Sequence, residues 1–463
     1  MRRRLYARLP IPVQNILVSW EGARAYRNGF GAPFRAALAE LERLDQADAS
    51  TLREDQDRRL RDMVRWAAKT VPYYRELFRR EGIDPASIRG VGDLPRLPTL
   101  SKGTLRERGD ALLSEGVPVR ERVSGHTSGT TGTALALVYT REALGFEYAV
   151  PWRQRGWHGF RLGDRYAAFG GQMVVPYEQS APPFWRFDRP RGRMLFSLYH
   201  MTPEHLDAYA AELARPGYRF WQGYPSSITL IAGHLLDRGI DLGPAAPAAI
   251  FTSSETLLPA HRERIERATG ARVADRYGHS ELAVSVSECP QGGLHVDTEM
   301  CALEVDPHEE TDAWVRGEIL ATGLANRAMP LLRYRTGDVA TLRKNARCAC
   351  GRARPLVEAI DGRVEDYVVT PDNRRIGRMD HIFKDALLVK EAQIHQTTAD
   401  RLVVRLVPHP GFDETARHAL EGEFRARLGS AMQIDFELVD AIPREPNGKF
   451  RAVVSDIRAG RLD

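Results

Sequence analysis

Phe220-Trp221-Gln222-Gly223-Tyr224, Ala249-Ile250-Phe251-Thr252 and Ala271-Arg272-Val273-Ala274-Asp275-Arg276-Tyr277 are the stretches that decide the fold. Each is a short apolar run, and helical stretches lie between them. Tyr166–Phe169 precedes them and Gly317–Thr322 follows, in the same style. Strands alternating with helices predict an α/β fold of layered sheets and helices. Gly or Pro follows several of these runs, and in such sheets ligand loops lie at strand ends.

Outward from this centre the texture changes twice. Residues 1–120 read as a mostly helical lead-in, with helix-period apolar positions over Ala36–Leu44 and Leu60–Ala68. Val71-Pro72-Tyr73-Tyr74 and Leu94-Pro95-Arg96-Leu97-Pro98 break it. Near Asp361-Gly362-Arg363 the chain turns polar. Beyond it, Arg401–Val407 and Ile434–Val439 alternate as strands and Glu414–Leu428 reads as an amphipathic helix. The expected organisation is a large domain over 1–361 and a small, mobile α+β domain over 362–463.

The 463 residues are 43% hydrophobic and 27% charged, with a net charge of +5. That is ordinary for a globular protein with a large core. Arginine is spread among Asp and Glu, without a basic run or basic-aromatic cluster, so no nucleic-acid partner is expected. No run of about 18 apolar residues occurs, so no membrane partner is expected either. Met1-Arg2-Arg3-Arg4 is followed by Leu9-Pro10-Ile11-Pro12-Val13-Gln14-Asn15, which interrupts any apolar leader segment. Four cysteines are too few for a disulfide scaffold. The expected location is cytoplasmic.

Three turns carry chemistry. Thr127-Ser128-Gly129-Thr130-Thr131-Gly132 is rich in backbone N–H groups and hydroxyls, suited to wrapping phosphate oxygens. It is not a Walker loop, because Thr133 follows Gly132. Tyr277-Gly278-His279-Ser280-Glu281 sets an aromatic and a carboxylate after a predicted strand, Val273–Arg276. Tyr334-Arg335-Thr336-Gly337-Asp338 ends in a carboxylate with two oxygens for two hydroxyl donors. Taken alone, the first favours phosphate over a plain surface turn, the second reads equally as either, and the third reads as a generic turn. Lys449, within Pro446-Asn447-Gly448-Lys449, is one of only six lysines among 66 basic residues. A phosphate-binding loop and a lone lysine at a glycine turn suit ATP binding and adenylyl transfer to an acid.

The order of these motifs, followed by Asp361-Gly362-Arg363-Val364-Glu365-Asp366 and the Lys449 turn, resembles the adenylate-forming superfamily of acyl-CoA synthetases. Within it the chain resembles the phenylacetate–CoA ligase and CapK-like branch. Val71–Glu76, Leu97–Lys102, Gly223–Ser226 and Cys348–Arg352 carry the likeness beyond the catalytic motifs, and it covers about residues 10–455. The resemblance implies an AMP-forming ligase using ATP and Mg²⁺, with a carboxylic acid (aryl or arylacetic in type) as substrate and CoA as acceptor. An amine, carrier-protein or hydroxyl acceptor stays open, and so does a nucleotide-binding pseudoenzyme. Joint retention of Glu281, Asp338 and Lys449 argues against the latter. A homodimer is common among relatives.

The resemblance also implies roles. Thr127–Gly132 would hold the outer phosphates, Tyr277 and Gly278 would lie near adenine, Glu281 would bind Mg²⁺ and Asp338 would hold the ribose. Arg363 would contact nucleotide or the domain junction. Lys449 would bridge the α-phosphate and the acid, and Glu365 would be the hinge about which the small domain swings. Two departures stand out. Ala134-Leu135 occupies the place of a frequent Pro-Lys, and Glu365 that of a usual Asp or Lys. The acyl pocket of relatives is lined from the strand before Gly223, from Ser253-Ser254-Glu255 and from residues just before Tyr277. Phe169, Gly170, Trp221 and Tyr224 are candidate walls, while Trp152, Trp157 and Trp185 either line substrate or pack.

Cys289, His295, Cys348 and Cys350 are soft or borderline ligands on two short loops. They fit either tetrahedral Zn²⁺ or a set of unliganded thiols. Branch members carry such a structural zinc. Cys301 is left over and reads as a buried small hydrophobe.

Overall fold

The computed structural model describes residues 2–126, 135–176, 178–363, 368–371, 375–376, 379–383, 388–429, 431–444 and 450–457. The phosphate-loop candidates Thr127–Gly132, the hinge candidate Glu365 and Lys449 lie outside the described residues, and of Arg363 only the backbone is described.

Helix Ala49–Thr70 shows how the lead-in forms. Asp48 caps it by accepting the Thr51 N–H, and Leu52, Gln56, Leu60, Met63, Val64 and Ala67 form its buried stripe. Val71 is extended ahead of Pro72, which opens the next helix, Pro72–Arg80. The predicted break is thus a junction between two helices. Buried Tyr74 ties the junction to the sheet: its hydroxyl donates to the Pro330 carbonyl and accepts the Leu332 N–H.

Strands β1 (Arg122–His126) and β2 (Ala136–Thr140) pair antiparallel with His126 opposite Ala136, so the Gly/Ser/Thr run is the segment between them. A single sheet then takes in twelve strands. In chain order they are β3 (Tyr166–Gly170), β4 (Trp185–Asp188), β5 (Arg193–Ser197), β6 (Phe220–Gly223), β7 (Ala249–Ser253) and β8 (Arg272–Gly278). The rest are β9 (Ser285–Glu288), β10 (Leu294–Val296), β11 (Cys301–Glu310), β12 (Trp314–Gly323), β13 (Tyr334–Arg343) and β14 (Leu356–Arg363). The spatial order is β11-β12-β13-β14-β10-β9-β8-β7-β6-β3-β5-β4.

The run β5-β3-β6-β7-β8 is parallel, and every pairing outside it is antiparallel. The parallel strands read as unbroken apolar runs because both faces are covered. Ala168, Phe220, Phe251 and Ala274 pack into a core shared with the lead-in helices. Their alternates Phe169, Trp221, Ile250 and Val273 pack against Ile228, Ile231, Leu235 and Ile265 of helices Pro225–Asp237 and Pro259–Thr269.

The antiparallel half differs from the sequence reading. Tyr334–Asp338, read as a turn, opens the ten-residue β13. Asp361-Gly362-Arg363 still belongs to the large sheet, where Arg363 pairs with Asp338 and Gly362 with Val339. Polar side chains suit these strands because they are only partly covered. Edge strand β11 carries Pro307 at a register shift against β12, a place where a missing N–H costs no interior pairing.

The C-terminal part folds around its own core. β15 (Val368–Val369) pairs with β16 (Arg375–Ile376). β17 (Val389–Thr398), β18 (Arg401–Pro408), β19 (Gln433–Leu438) and β20 (Val453–Ser455) form a sheet in the order β19-β18-β17-β20. Helix Glu414–Leu428, capped by Asp413, brings Leu420, Phe424 and Leu428 onto Ile394, Leu402, Val404 and Leu406.

Candidate functional site

Strand β8 runs on through Tyr277 and Gly278, so the aromatic ends the strand rather than following it. The turn after it holds Leu282 at φ 55° and closes with the Leu282 N–H on the His279 carbonyl. From the other side comes β13. Between Glu318↔Val339 and Leu320↔Arg335, residues 336–338 face the single residue Ile319. This bulge depends on Gly337 at φ 79°, a left-handed conformation that favours glycine. Thr336 braces it, donating to the Ile319 carbonyl and accepting the Asp338 N–H. The Thr-Gly-Asp turn of the sequence reading is therefore a bulge within a strand, and it re-aims Asp338.

The two pieces meet on one oxygen. The Tyr277 hydroxyl donates to Asp338 Oδ2 at 2.6 Å, and His279 Nε2 lies 2.6 Å from the same oxygen and 2.7 Å from the Tyr277 hydroxyl. Asp338 is buried. Burial, with the Asp338 charge adding to it, holds the Tyr277 hydroxyl well above the ordinary tyrosine range, so it stays a donor. The Arg363 backbone lies opposite Asp338 in the β13–β14 ladder.

Glu281 stands beside this cluster, accepting from the Tyr334 hydroxyl at 3.3 Å. The Tyr139 hydroxyl of β2 donates to the Ser280 carbonyl at 2.7 Å, tying the hairpin around the Gly/Ser/Thr run to the same turn. Leu100 bridges to Tyr334, giving its N–H to the Arg333 carbonyl and accepting the Arg335 N–H. Sequence reading missed Tyr139, and it used Leu97–Lys102 only as a likeness; the signal was an isolated Tyr in an apolar run.

The four pocket candidates separate. Gly170 and Tyr224 are half-buried at the ends of β3 and β6, with the Tyr224 N–H on the Phe169 carbonyl. Phe169 and Trp221 are 0% exposed and packed with Phe196 in the apolar core, so they support the strands and face no open space. Their full burial contributes roughly 2–3 kcal/mol each. The three undecided tryptophans pack: Trp152 on Phe160, Trp157 near His295 and Trp185 on Phe196.

Cys289, His295, Cys348 and Cys350 come together with ligand atoms all within 4.8 Å of one another. Cys289 Sγ lies 3.6 Å from Cys348 Sγ, and Cys350 Sγ lies 3.2 Å from His295 Nε2. A zinc tetrahedron with ordinary bond lengths sets such ligands about 3.5–3.7 Å apart. Gly293 leaves the space open: a Cβ there would sit 2.6 Å from Cys348 Sγ and 3.2 Å from His295 Nε2. The donor set and its spacing fit a tetrahedral zinc. Cys301 is fully buried on β11, away from this set, and burial pushes its thiol up to about 12.

Behind the cluster lies a sealed ionic network. Arg153 pairs with Asp297 and Glu299, Arg354 with Glu299, and all four side chains are 0% exposed. Ser285 and Ser287 donate to Asp297, and Trp157 donates to Asp45 at 2.6 Å. These contacts hold the lead-in, helix Arg141–Trp157 and the cysteine loops in one arrangement.

Known proteins resemble this chain in sequence and in fold. The family model for the CapK C-terminal domain matches residues 368–456. Protein CapK of Staphylococcus aureus is 26% identical over 98% of this chain and 99% of its own length. A phenylacetate-coenzyme A ligase of Thermus thermophilus is 28% identical over 71% of this chain and 74% of its own. The solved structure of 2-hydroxyisobutyryl-CoA ligase in the postadenylation state aligns with a TM-score of 0.71 at 22% identity, covering 89% of this chain and 91% of that one. Against that ligase in the thioesterification state the TM-score is 0.56. The chain has the fold of the adenylate-forming CoA ligases. It is a CapK-like protein with phenylacetate–CoA ligase homologues. Among the described residues no helix is long and apolar enough to cross a membrane.

Proposed function

We propose that this chain is an AMP-forming carboxylate–CoA ligase that activates an aryl or arylacetic-type acid with ATP. The observation that carries the reading is the meeting of Tyr277, His279 and Asp338 on one oxygen beside the carboxyl end of β8, in a chain homologous to phenylacetate–CoA ligases. Ligands of open α/β sheets bind at that end.

In the first half-reaction a carboxylate oxygen attacks the α-phosphorus of ATP, and pyrophosphate leaves. In the second, a thiol attacks the acyl carbon, and AMP leaves. Asp338 would accept the ribose hydroxyls, with Tyr277 and His279 fixing its orientation and Tyr277 and Gly278 bordering the adenine. Glu281 would hold Mg²⁺, which supplies charge neutralisation at the phosphates. Thr127–Gly132 would cradle the outer phosphates, and Arg363 would border the nucleotide at the domain junction. Lys449 would neutralise charge between the two reacting anions. A boundary near residue 361 and a swing about Glu365 would then bring in the acceptor. Cys289, His295, Cys348 and Cys350 would hold zinc with every position filled by protein, so its part is to staple loops.

A second reading keeps the adenylation and changes the acceptor to an amine, a carrier protein or a hydroxyl. It calls on the same nucleotide residues and differs only in the nucleophile that consumes the acyl adenylate. Pyrophosphate and AMP release over a panel of carboxylic acids, with CoA, amines or carrier protein supplied in turn, tests both. CoA-dependent AMP formation supports the first reading, and AMP formed with another acceptor supports the second. No acid-dependent pyrophosphate in any arm overturns both.

A further inference from the structure

Glu255 follows β7 in a loop where Ser254 takes φ 73°, a conformation unusual for a side-chain-bearing residue. The turn sends the Glu255 carboxylate back over the start of helix Pro225–Asp237. There one oxygen accepts the Ser226 N–H at 3.1 Å, and the other accepts the N–H of Phe450 at 2.7 Å. Phe450 belongs to the C-terminal part and directly follows Lys449. Arg444 lies with its guanidinium 4.6 Å over the Phe450 ring and pairs with Glu391.

Among the described residues, further links between the two parts are of a different kind. Asp237 reaches Lys390 Nζ at 3.6 Å and His409 Nε2 at 3.2 Å, with all three side chains between 37% and 42% exposed. Arg264 donates to the Lys390 carbonyl at 3.2 Å. Exposed ion pairs contribute little and weaken with salt. A carboxylate receiving two backbone N–H groups in a desolvated place is the stronger and more directional tie. Desolvation raises the Glu255 carboxyl, and the Phe450 and Ser226 N–H groups pull it back.

We propose that Glu255 is a positioning residue that docks the C-terminal part onto the large domain at Phe450 for adenylation and lets it go for acyl transfer. This rests on the adenylation reading above. The geometry suits reversible docking. Ser226 keeps one carboxylate oxygen satisfied in either arrangement, so at Glu255 itself release breaks a single hydrogen bond, which water can replace.

The test uses the full chain with Glu255→Ala, Glu255→Gln and, as an exposed-link control, Asp237→Ala. Hydrogen exchange of the peptide spanning residues 441–457 is expected to speed up about tenfold in Glu255→Ala, less in Glu255→Gln and not in Asp237→Ala, with β17 and β18 unchanged. With phenylacetate as probe acid, ATP–pyrophosphate exchange is expected to fall at least about tenfold in Glu255→Ala. Thioester formation from supplied phenylacetyl adenylate should stay within about twofold. Unchanged exchange protection overturns the docking contact. Equal losses in both half-reactions overturn the positioning role. A wild type that responds in hydrogen exchange but makes no pyrophosphate with any acid overturns the adenylation reading and the catalytic role together, while the docking contact stands.

Discussion

Around Arg153, carboxylates and guanidiniums from four separate segments are shut inside the large domain, and serine hydroxyls donate to Asp297. Around Asp338, a carboxylate, a phenol and an imidazole gather from two segments, and Tyr277 and His279 keep part of their surface exposed at a strand end. The two clusters use similar chemical groups for opposite ends. The first is closed to solvent and fixes how lead-in, helix and cysteine loops meet. The second leaves an opening and depends on a bulge to aim its central carboxylate. A sealed network serves stability and geometry, while a half-open one keeps capacity for a ligand.

The largest expected effect breaks the sealed cluster. Arg153→Met leaves Asp297 and Glu299 as buried charges short of a partner, and urea unfolding should show a loss of about 3–5 kcal/mol. If Asp338→Asn costs as much stability, the contrast between the clusters fails. Asp338→Asn is instead expected to cut acid-dependent pyrophosphate exchange about 100-fold, roughly 2.7 kcal/mol of transition-state stabilisation, with the unfolding midpoint nearly unmoved.

Cys348→Ser sharpens the comparison from the side of the loops. Elemental analysis should fall from about one equivalent of zinc to less than half, and melting should drop by a few degrees with kcat preserved. Less than half an equivalent in metal-replete wild type removes zinc from the account.

The smallest effect concerns Asp275, which accepts from the Thr252 hydroxyl and whose carboxyl desolvation pushes up to about 7. The folded chain holds that proton above pH 3.8, where the unfolded chain releases it. Stability is therefore expected to decline as pH rises from about 4 to 7 and then level off. Asp275→Asn should flatten this window, read from urea midpoints at several pH values.

The parallel strands were legible because double burial makes each one an apolar block; Tyr166–Phe169 and Ala249–Thr252 each fall one residue short of the observed strand. Glu414–Leu428 coincides with its helix because its cap and apolar period agree. The long antiparallel strands were not legible beyond Gly317–Thr322. Their partly exposed faces carry Asp, Glu and Arg, and Gly337 in β13 and Pro307 in β11 imitate turns. At the site, Tyr277, His279, Glu281 and Asp338 were visible as motif residues. Tyr139 and Tyr334 support them through single hydroxyls that reach across from distant segments, and sequence order does not show which residue each hydroxyl meets. The Arg153 network was hidden because Arg153-Gln154-Arg155 resembles a solvated helix turn, yet all three are buried.

A sheet twelve strands wide has a flank that another chain could extend. Asp306-Pro307-His308-Glu309-Glu310 spoils that flank: the imino acid withholds a donor, the register slip bends the strand, and the ion pairs of Asp306, Glu309 and Glu310 with Arg335, Arg316 and Lys344 set charged side chains along it. The same irregularity makes β11 a poor template for a further strand at that edge.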